Sequence, residues 1–349
     1  MKVINIDEAL NLEKAVFVDL RSPKEFENAT IPGAVNIPVF NNEEREIIGK
    51  IYKKIDRGSA YEKGLEILSS KLLQIYKSIK EIQKNNKVII FCWRGGMRSR
   101  SIAEVLDLMN LDNIYVLKGG YKAYRKYVIE SLQNINLWFD FVVVHGMTGV
   151  GKTELLSILE KKGAEIIDLE KMANNRGSIF GSYGMGRPAS QKMFESYLLQ
   201  KLNQISKNVV FIESESARIG NIIVPKFLIN KMEQGRHILL KAPLAIRVNR
   251  LKKIYSNDLN DDEVLRIKKS LSKITNKLGK QNYQNLIKYL ETRNIDRFIE
   301  ELLIKYYDPF YKHSELKVEK YDMVLDSSNL QTAAEQIIKK FINNDREVS

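Results

Sequence analysis

Hydrophobic residues in this chain fall into two patterns: short apolar runs that stop at polar or glycine-rich turns, and longer stretches with helical spacing. Ala15-Val-Phe-Val-Asp, Val88-Ile-Ile-Phe, Phe139-Asp-Phe-Val-Val-Val-His, Asn208-Val-Val-Phe-Ile-Glu, Ile238-Leu-Leu-Lys-Ala-Pro and Met323-Val-Leu-Asp read as strands. Near-continuous apolar runs of this kind suit strands of a parallel sheet covered on both faces. Helical spacing lies between them. Leu65, Leu68, Leu72, Ile75 and Ile79 predict one or two helices inside an insertion at 41–86, and their charged face reads as solvated. Further helices are predicted over 121–133, from Ala245, and from Asp261 to Ile342, with breaks at Leu278-Gly and Tyr306-Tyr-Asp-Pro. Ser22, Pro23 and Glu25 form a helix start, with cap, first-turn proline and capping-box acid in order.

Strand, turn and helix in alternation predict an α/β protein. The chain's 349 residues exceed one ordinary core, so two domains are expected, 1–133 and 134–349, joined by a short linker near Asn134-Ile-Asn. One cysteine excludes an internal disulfide and points to a reducing compartment. No signal peptide and no run of about 18 apolar residues is visible, so the expectation is a cytosolic protein with no membrane role. The net charge of +13 suits a polyanion such as RNA. Abundant Lys, Asn, Ile and Tyr would also follow from an A/T-rich genome, and charge alone leaves both readings open.

The strand at Val88 ends on the single cysteine, Cys92, followed by Trp93, Arg94, Gly95, Gly96, Met97, Arg98 and Ser99, and then by a helix. A strand–loop–helix turn of this kind aims successive N–H groups at one spot, which makes an anion nest and favours thiolate over thiol. Arg94 and Arg98 add charge suited to a tetrahedral oxyanion. Asp19, Arg21 and Glu25 read as an internal ion-pair set rather than as catalysts.

A second phosphate device opens the other half. After the Phe139–His145 strand come Gly146, Met147, Thr148, Gly149, Val150, Gly151, Lys152 and Thr153, then a helix from Glu154, which is the P-loop pattern in its full context. The glycines let the backbone wrap phosphates, Lys152 neutralises them, and the Thr153 hydroxyl suits magnesium. The strand at Asn208 ends in Glu213 and Glu215, where P-loop proteins keep the acid that holds magnesium through water. That acid is usually aspartate, so glutamate argues against rapid nucleotide hydrolysis. The stretch from Asp168 to Gly181, with Arg176 and Ser178, reads as a loop facing the P-loop; Arg187 and Gln191 follow.

The set Asp19-Leu-Arg-Ser-Pro-x-Glu-Phe, Ile31-Pro-Gly-Ala-x-Asn-Ile-Pro, the cysteine loop and Val116-Leu-Lys-Gly-Gly-Tyr resembles a rhodanese domain. Five residues separate Cys92 from Arg98, the spacing of tyrosine-type phosphatases, where the smallest sulfurtransferases commonly have four. The loop by itself therefore leaves chalcogen transfer and phosphate-ester hydrolysis both open. With Gly146-Met-Thr-Gly-x-Gly-Lys-Thr, Asp168-Leu-Glu…Arg176-Gly-Ser-x-Phe-Gly, Ser190-Gln-Lys…Phe194-Glu and Glu213-Ser-Glu-Ser, nearly the whole chain resembles the bacterial tRNA 2-selenouridine synthases. Asn175 departs from that pattern, which has histidine before Arg-Gly-Ser.

The resemblance implies an N-terminal rhodanese-like domain and a C-terminal P-loop NTPase-like parallel-sheet domain with extra helices. It implies conversion of wobble 2-thiouridine to 2-selenouridine through an S-geranyl-2-thiouridine intermediate, with geranyl diphosphate and selenophosphate as co-substrates. The partners implied are the tRNAs for lysine, glutamate and glutamine, and an enzyme that supplies selenophosphate. Cys92 becomes the nucleophile, and Trp93, Arg94, Gly95, Gly96, Met97, Arg98 and Ser99 hold selenophosphate. Gly146 through Thr153 hold a diphosphate, with Mg2+ on Thr153 and Glu213, and Arg176, Ser178, Arg187, Gln191, Glu213 and Glu215 belong to a second site. Arg247, Arg250, Lys252 and Lys253 on the basic helix are the expected tRNA contact. The alternatives are a rhodanese-fold phosphatase or sulfurtransferase fused to an NTPase, and a nucleotide-binding regulator whose thiol is a sensor.

Overall fold

The structure, a computed structural model, describes residues 1–177, 181, 186–255, 260–309, 318 and 320–343. The chain forms two compact units. The first is Met1–Ile135 together with Ser190–Gln200, and the second is Asn136–Ala189 with the chain from Lys201 onward.

In the first unit, β1 (Lys2–Ile4), β2 (Ala15–Asp19), β3 (Val35–Asn36), β4 (Lys87–Phe91) and β5 (Ile114–Leu117) make one parallel sheet in the order β1-β5-β4-β2-β3. Helices α1 (Ile6–Leu10), α2 (Pro23–Asn28), α3 (Asn42–Lys54), α4 (Arg57–Gln83), α5 (Met97–Leu108) and α6 (Gly120–Gln133) connect the strands. Val18, Val88 and Ile90 on one sheet face join Ile75 and Ile79 of α4 and Ile102 and Leu106 of α5 in a single core.

The insertion is a pair of helices, and its apolar pattern is only half absorbed by that core. Ile75 and Ile79 are buried, Leu68 and Leu72 pack partly against it, and Leu65 is 68% exposed. The 27 residues of α4 span roughly 40 Å at about 1.5 Å per residue, and in the N-terminal half Ala60 and Ile67 still turn inward while Leu65 faces solvent.

Polar burial concentrates where β2 ends. Arg21 Nε donates to Asp19 Oδ1 at 2.9 Å and its terminal nitrogen to Oδ2 at 2.6 Å, while Thr30 Oγ1 donates to the same carboxylate at 2.9 Å. Asp19 is 0% and Arg21 1% exposed, so each charge relies on the other. The guanidinium also donates to Ala29 O at 2.6 Å and lies 4.1 Å from the Tyr121 ring centre. This is the internal ion pair the sequence suggested. Glu25 takes a different partner, Arg98, at 3.5 Å.

In the second unit, β6 (Asp140–His145), β7 (Glu165–Ile167), β8 (Val209–Glu213), β11 (Arg236–Lys241) and β12 (Met323–Asp326) form a parallel sheet in the order β12-β11-β6-β8-β7. A two-stranded ribbon, β9 (Arg218–Ile219) and β10 (Ile222–Ile223), stands apart from it. Val142, Val144, Ile238 and Leu240 on one face pack on α7 (Lys152–Lys161) and on the helix at Leu330–Ile338. Helices α8 (Leu169–Ala173), α10 (Lys226–Glu233) and α11 (Leu244–Tyr255) belong to this unit, whereas most of α9 (Gln191–Gln204) is counted with the first. Next come α12 (Asp261–Ser272), α13 (Thr275–Leu278), α14 (Lys280–Glu291) and α15 (Ile295–Leu302), a helical module with its own core of Ile267, Leu271, Leu286, Leu290 and Phe298. Leu244, Val248 and Leu251 of α11 pack against this core. No helix among the described residues is long and apolar enough to cross a membrane.

Two contrasting substitutions test this account of the first unit. Asp19→Ala leaves a guanidinium buried without its anion and is expected to cost about 3–5 kcal/mol. Leu65→Ala, on the solvent-facing side of α4, is expected to stay within about 0.5 kcal/mol. Urea unfolding followed by far-UV circular dichroism measures both.

Candidate active site

The first site follows from how β4 hands over to α5. Phe91 ends the strand, Cys92 lies just beyond it, and α5 begins at Met97 with Gly96 as a cap that offers no side chain. The first N–H groups of α5 therefore lack helical partners and face the turn. The Cys92 sulfur is 3.3 Å from Ser99 Oγ, which also donates to Gly96 O at 3.1 Å. Burial pushes the Cys92 thiol up. The Ser99 hydroxyl, the Arg98 charge and the N–H groups of Ser99 and Arg94 outweigh that, and the thiol sits below its ordinary value.

Close packing holds this loop against the start of α6. Tyr121 N–H donates to Cys92 O at 2.9 Å and Lys122 N–H to Trp93 O at 3.0 Å. Gly95 has φ +62°, and a Cβ there would lie 2.6 Å from Leu117 O, so only glycine fits. The same is true of Gly120 against Cys92 O, which explains the Gly-Gly-Tyr run far along the sequence. Arg98 reaches toward the loop but is tied at 3.5 Å to Glu25, whose carboxyl is held below its ordinary value. For Glu25, burial raises the value, and Arg98, Arg45 and the Ser22 N–H lower it further than that. Arg94, Trp93 and Met97 are exposed around the buried sulfur.

The second site lies at the carboxyl ends of β6, β7 and β8. Gly146, Gly149 and Gly151 all have positive φ, and a Cβ at Gly146 would meet Leu240 O at 2.7 Å. Lys152 Nζ donates to Gly146 O at 2.9 Å. Thr153 Oγ1 lies 3.3 Å from Glu170 Oε2 and 3.4 Å from Glu213 Oε2, and Glu170 N–H donates to Glu213 Oε1 at 3.0 Å. One oxygen from each of Glu170, Glu213 and Glu215 lies within 4.8 Å of the others. Burial, and then the neighbouring acids, push Glu170 up to about 8 and Glu213 well above the carboxylate range. Asp168 and Glu215 are raised by burial as well. So many carboxylates cannot all ionise together without a cation, and an all-oxygen donor set with a threonine hydroxyl fits a hard divalent ion.

Glu170 was not singled out from the sequence, where it follows a strand end among ordinary surface residues. The β7–β8 pairing sets it beside Glu213. Asp168 to Ala173 is also not the plain loop expected: Asp168 caps α8 by accepting Lys171 N–H at 2.8 Å. Gly177 has φ +66°, and a Cβ there would lie 2.9 Å from Glu215 Oε2, so glycine lets its own backbone approach the carboxylates. Asn175, the departure from the family pattern, accepts Gly177 N–H on Oδ1 at 3.0 Å and is 9% exposed. Its side chain shapes the turn.

Of the second-site residues, Arg176, Glu213 and Glu215 meet around the P-loop. Arg187 is exposed, with its carbonyl accepting from Asn174 Nδ2 at 2.8 Å. Gln191 belongs to the first unit and donates to Glu195 Oε1 at 2.8 Å. Ser178 lies outside the described residues.

The basic helix α11 corrects its expected role. Arg247 is 4% exposed. Its Nε donates to Thr148 O at 2.8 Å, and its two terminal nitrogens grip Asp308 at 3.0 and 2.5 Å. Arg250 donates to Val150 O at 2.7 Å and to Ser327 O at 2.5 Å. These arginines fasten P-loop carbonyls instead of facing RNA, and within the loop Val150 N–H donates to Met147 O at 3.3 Å. Lys252 pairs with Asp296 at 2.9 Å, and Lys253 lines the cavity over the P-loop.

That cavity encloses about 1800 Å³ and is bordered by Lys152, Thr153, Glu170, Arg176, Glu215 and Arg250. His145 and His237, also on its wall, are in contact through Nε2 and Nδ1 at 2.9 Å. Burial, His237 and Lys152 drive His145 down to about 3, so it is a neutral imidazole at pH 7.

Absorbance at 240 nm reports thiolate, and a single cysteine makes the signal specific. The Cys92 midpoint is expected below the ordinary 9.0, with thiolate persisting as pH falls toward the lowered value. Ser99→Ala is expected to shift the midpoint upward. An unchanged midpoint in that variant would show that the hydroxyl does not set the thiol's acidity.

Comparison with known proteins matches each half of the chain to a family. The rhodanese-like domain family matches residues 5–127, and the family described as the tRNA 2-selenouridine synthase AAA domain matches residues 139–342. The tRNA 2-selenouridine synthase of Hydrogenovibrio crunogenus is 32% identical over 337 residues, covering 89% of this chain and 92% of that protein. The protein of the same name from Ectopseudomonas mendocina is 33% identical, covering 84% of this chain and 85% of its own. Among solved structures, the N-terminal domain of a putative ATP/GTP binding protein from Clostridium difficile 630 is 43% identical. It covers 37% of this chain and 99% of its own, with a TM-score of 0.36. The chain thus combines a rhodanese-like domain with a P-loop domain, is an enzyme, and belongs to the tRNA 2-selenouridine synthase family.

Proposed function

We propose that this enzyme replaces the sulfur of wobble 2-thiouridine with selenium in the tRNAs for lysine, glutamate and glutamine, through an S-geranyl intermediate. The observation that carries this reading is the presence of two phosphate cradles of different chemistry, one facing a thiolate and one facing a lysine and a carboxylate cluster. Both co-substrates of such a reaction carry phosphate. Selenophosphate suits the Cys92 loop, and geranyl diphosphate suits Gly146–Thr153.

In the first step the thiocarbonyl sulfur attacks C1 of geranyl diphosphate. The S–C1 bond forms, the C1–O bond breaks with its electrons going to pyrophosphate, and the N3 proton leaves the base. Lys152 and the N–H groups of the loop stabilise the charge that develops on pyrophosphate. A divalent ion held by Thr153, Glu170, Glu213 and Glu215 would neutralise the same oxygens when bound.

In the second step the Cys92 thiolate attacks the phosphorus of selenophosphate. The S–P bond forms, and the P–Se bond breaks with its electrons going to hydrogen selenide. The selenide adds to C2 of the S-geranyl base and expels the alkylated sulfur, which takes up a proton and departs as geranylthiol; water then releases phosphate from the cysteine. Order matters here, because a bare thiocarbonyl sulfur leaves poorly whereas an alkylated sulfur leaves as a thiol. Cys92 is thus the nucleophile, Ser99 and the helix N-terminus favour its ionised form, and the loop N–H groups suit the tetrahedral phosphate. The chain's net charge of +13 fits an anionic RNA substrate.

Mass spectrometry of the wobble nucleoside tests the assignment after incubation with thiolated tRNA, geranyl diphosphate and selenophosphate. Cys92→Ser is expected to accumulate geranylated tRNA. Lys152→Ala is expected to lower geranylation by at least about 100-fold, the scale of losing one preorganised charge in an oxyanion site. If Lys152→Ala spared geranylation and abolished selenation, the two cradles would be assigned the wrong way round.

A further inference from the structure

Beside the buried Cys92 sulfur stand two large apolar side chains that the sulfur chemistry does not use. Trp93 is 37% exposed and Met97 is 52% exposed. An anion cradle needs only the backbone N–H groups of these residues, so an indole at its lip calls for another explanation.

The indole is also held in place. Its ring centre lies 5.8 Å from that of Tyr121, at an interplanar angle of 37°. Tyr121 is 1% exposed and is backed in turn by the Arg21 guanidinium at 4.1 Å and by Tyr124 at 6.1 Å. Arg21 is locked to the buried Asp19 carboxylate. The stack therefore runs from the buried Asp19–Arg21 ion pair out to the indole, which is packed against Tyr121 and remains 37% exposed.

Charge around the lip is basic. Arg94, Arg100, Lys118 and Lys122 are exposed there, and Lys192 Nζ lies 6.0 Å from the Trp93 ring centre. The acids nearby are already engaged, Glu25 with Arg98 and Arg45, and Glu195 with Arg125. A rigid aromatic face rimmed by cations is the surface that unstacked bases of single-stranded RNA bind.

We propose that Trp93 is a stacking platform for the pyrimidine base modified beside Cys92, swung out of its RNA loop, with the surrounding Lys and Arg side chains taking the flanking phosphates. The proposal rests on the tRNA reading above and adds to it the face on which the base lies. Stacking fixes the plane of the ring beside the sulfur, so that C2 is presented edge-on to the selenide released at Cys92. Met97, the first residue of α5, is the other exposed apolar side chain of this loop.

Trp93 can be read directly. The chain has two tryptophans, and Trp138→Phe leaves Trp93 as the only indole. In that background a synthetic anticodon stem-loop with 2-thiouridine at the wobble position is expected to quench the emission. The same RNA with an abasic wobble position is expected to bind with little quenching. In steady-state assays on the stem-loop, Trp93→Ala is expected to lower kcat/KM by roughly 5- to 150-fold, the span measured for losing one base–aromatic stack, and Trp93→Tyr to recover most of it.

Binding of the thiolated stem-loop without quenching would overturn the platform while leaving the tRNA reading intact. Equal losses in Trp93→Ala and Trp93→Tyr, with a displaced Cys92 thiolate midpoint in both, would assign Trp93 a packing role and overturn it too. Failure of the stem-loop to bind at all would remove the tRNA reading and the platform together.

Discussion

Both sites depend on one backbone constraint: a parallel strand that ends, turns and re-enters as a helix leaves the first N–H groups of that helix without partners. Folding cannot supply those partners from within the helix, so the turn becomes a place where negative charge is stabilised. In the first unit β4 and α5 put a thiolate there. In the second, β6 and α7 leave the place to a phosphate. The same local geometry thus holds a cysteine sulfur in one case and a lysine-bearing glycine loop in the other. The difference lies in what fills the turn: a cysteine tucked under the N–H groups, or a glycine loop wide enough for an external anion.

The surroundings are tuned in opposite directions. Cys92 loses water but gains a hydroxyl, two N–H groups and the Arg98 charge, so its thiol is more acidic than usual despite burial. Glu213 is 0% exposed and meets Glu170 and Glu215 instead, so its ionised form loses. A buried anion with donors is ready to react. A buried cluster of acids without a cation is ready to bind one, and here it adjoins the Thr153 hydroxyl at the mouth of the diphosphate loop.

Much of this was legible in the sequence because it is local. The strand–loop–helix turns around Cys92 and Gly146, the capped helix at Pro23 and the Asp19–Arg21 pair all involve residues within a few positions of each other. What could not be read depends on pairing across the sheet or on contacts far along the chain. Glu170 reaches the site because β7 lies beside β8, and that strand order leaves no mark on the five residues around Glu170. His145 and His237 meet because β6 and β11 are neighbours. Leu65 fits the helical period of its buried neighbours, but period alone does not say which of the apolar positions the core covers.

The α11 arginines show how far a basic stretch can mislead. Lysine and arginine at helical spacing look alike in sequence whether they face solvent or carbonyl groups, and only the partner decides. Arg247 is buried between Thr148 O and Asp308, and Asp308 closes the helical module whose core holds the other face of α11. One guanidinium therefore joins the phosphate loop to a module that carries no phosphate ligand of its own. A planar fork with donors on two edges can make that three-way junction, and an ammonium cannot reproduce its geometry. The cost of the junction is a cation removed from the surface. In this chain, positive charge is thus divided between residues that build the diphosphate cradle and exposed residues, such as those around Trp93, that remain available to a polyanion.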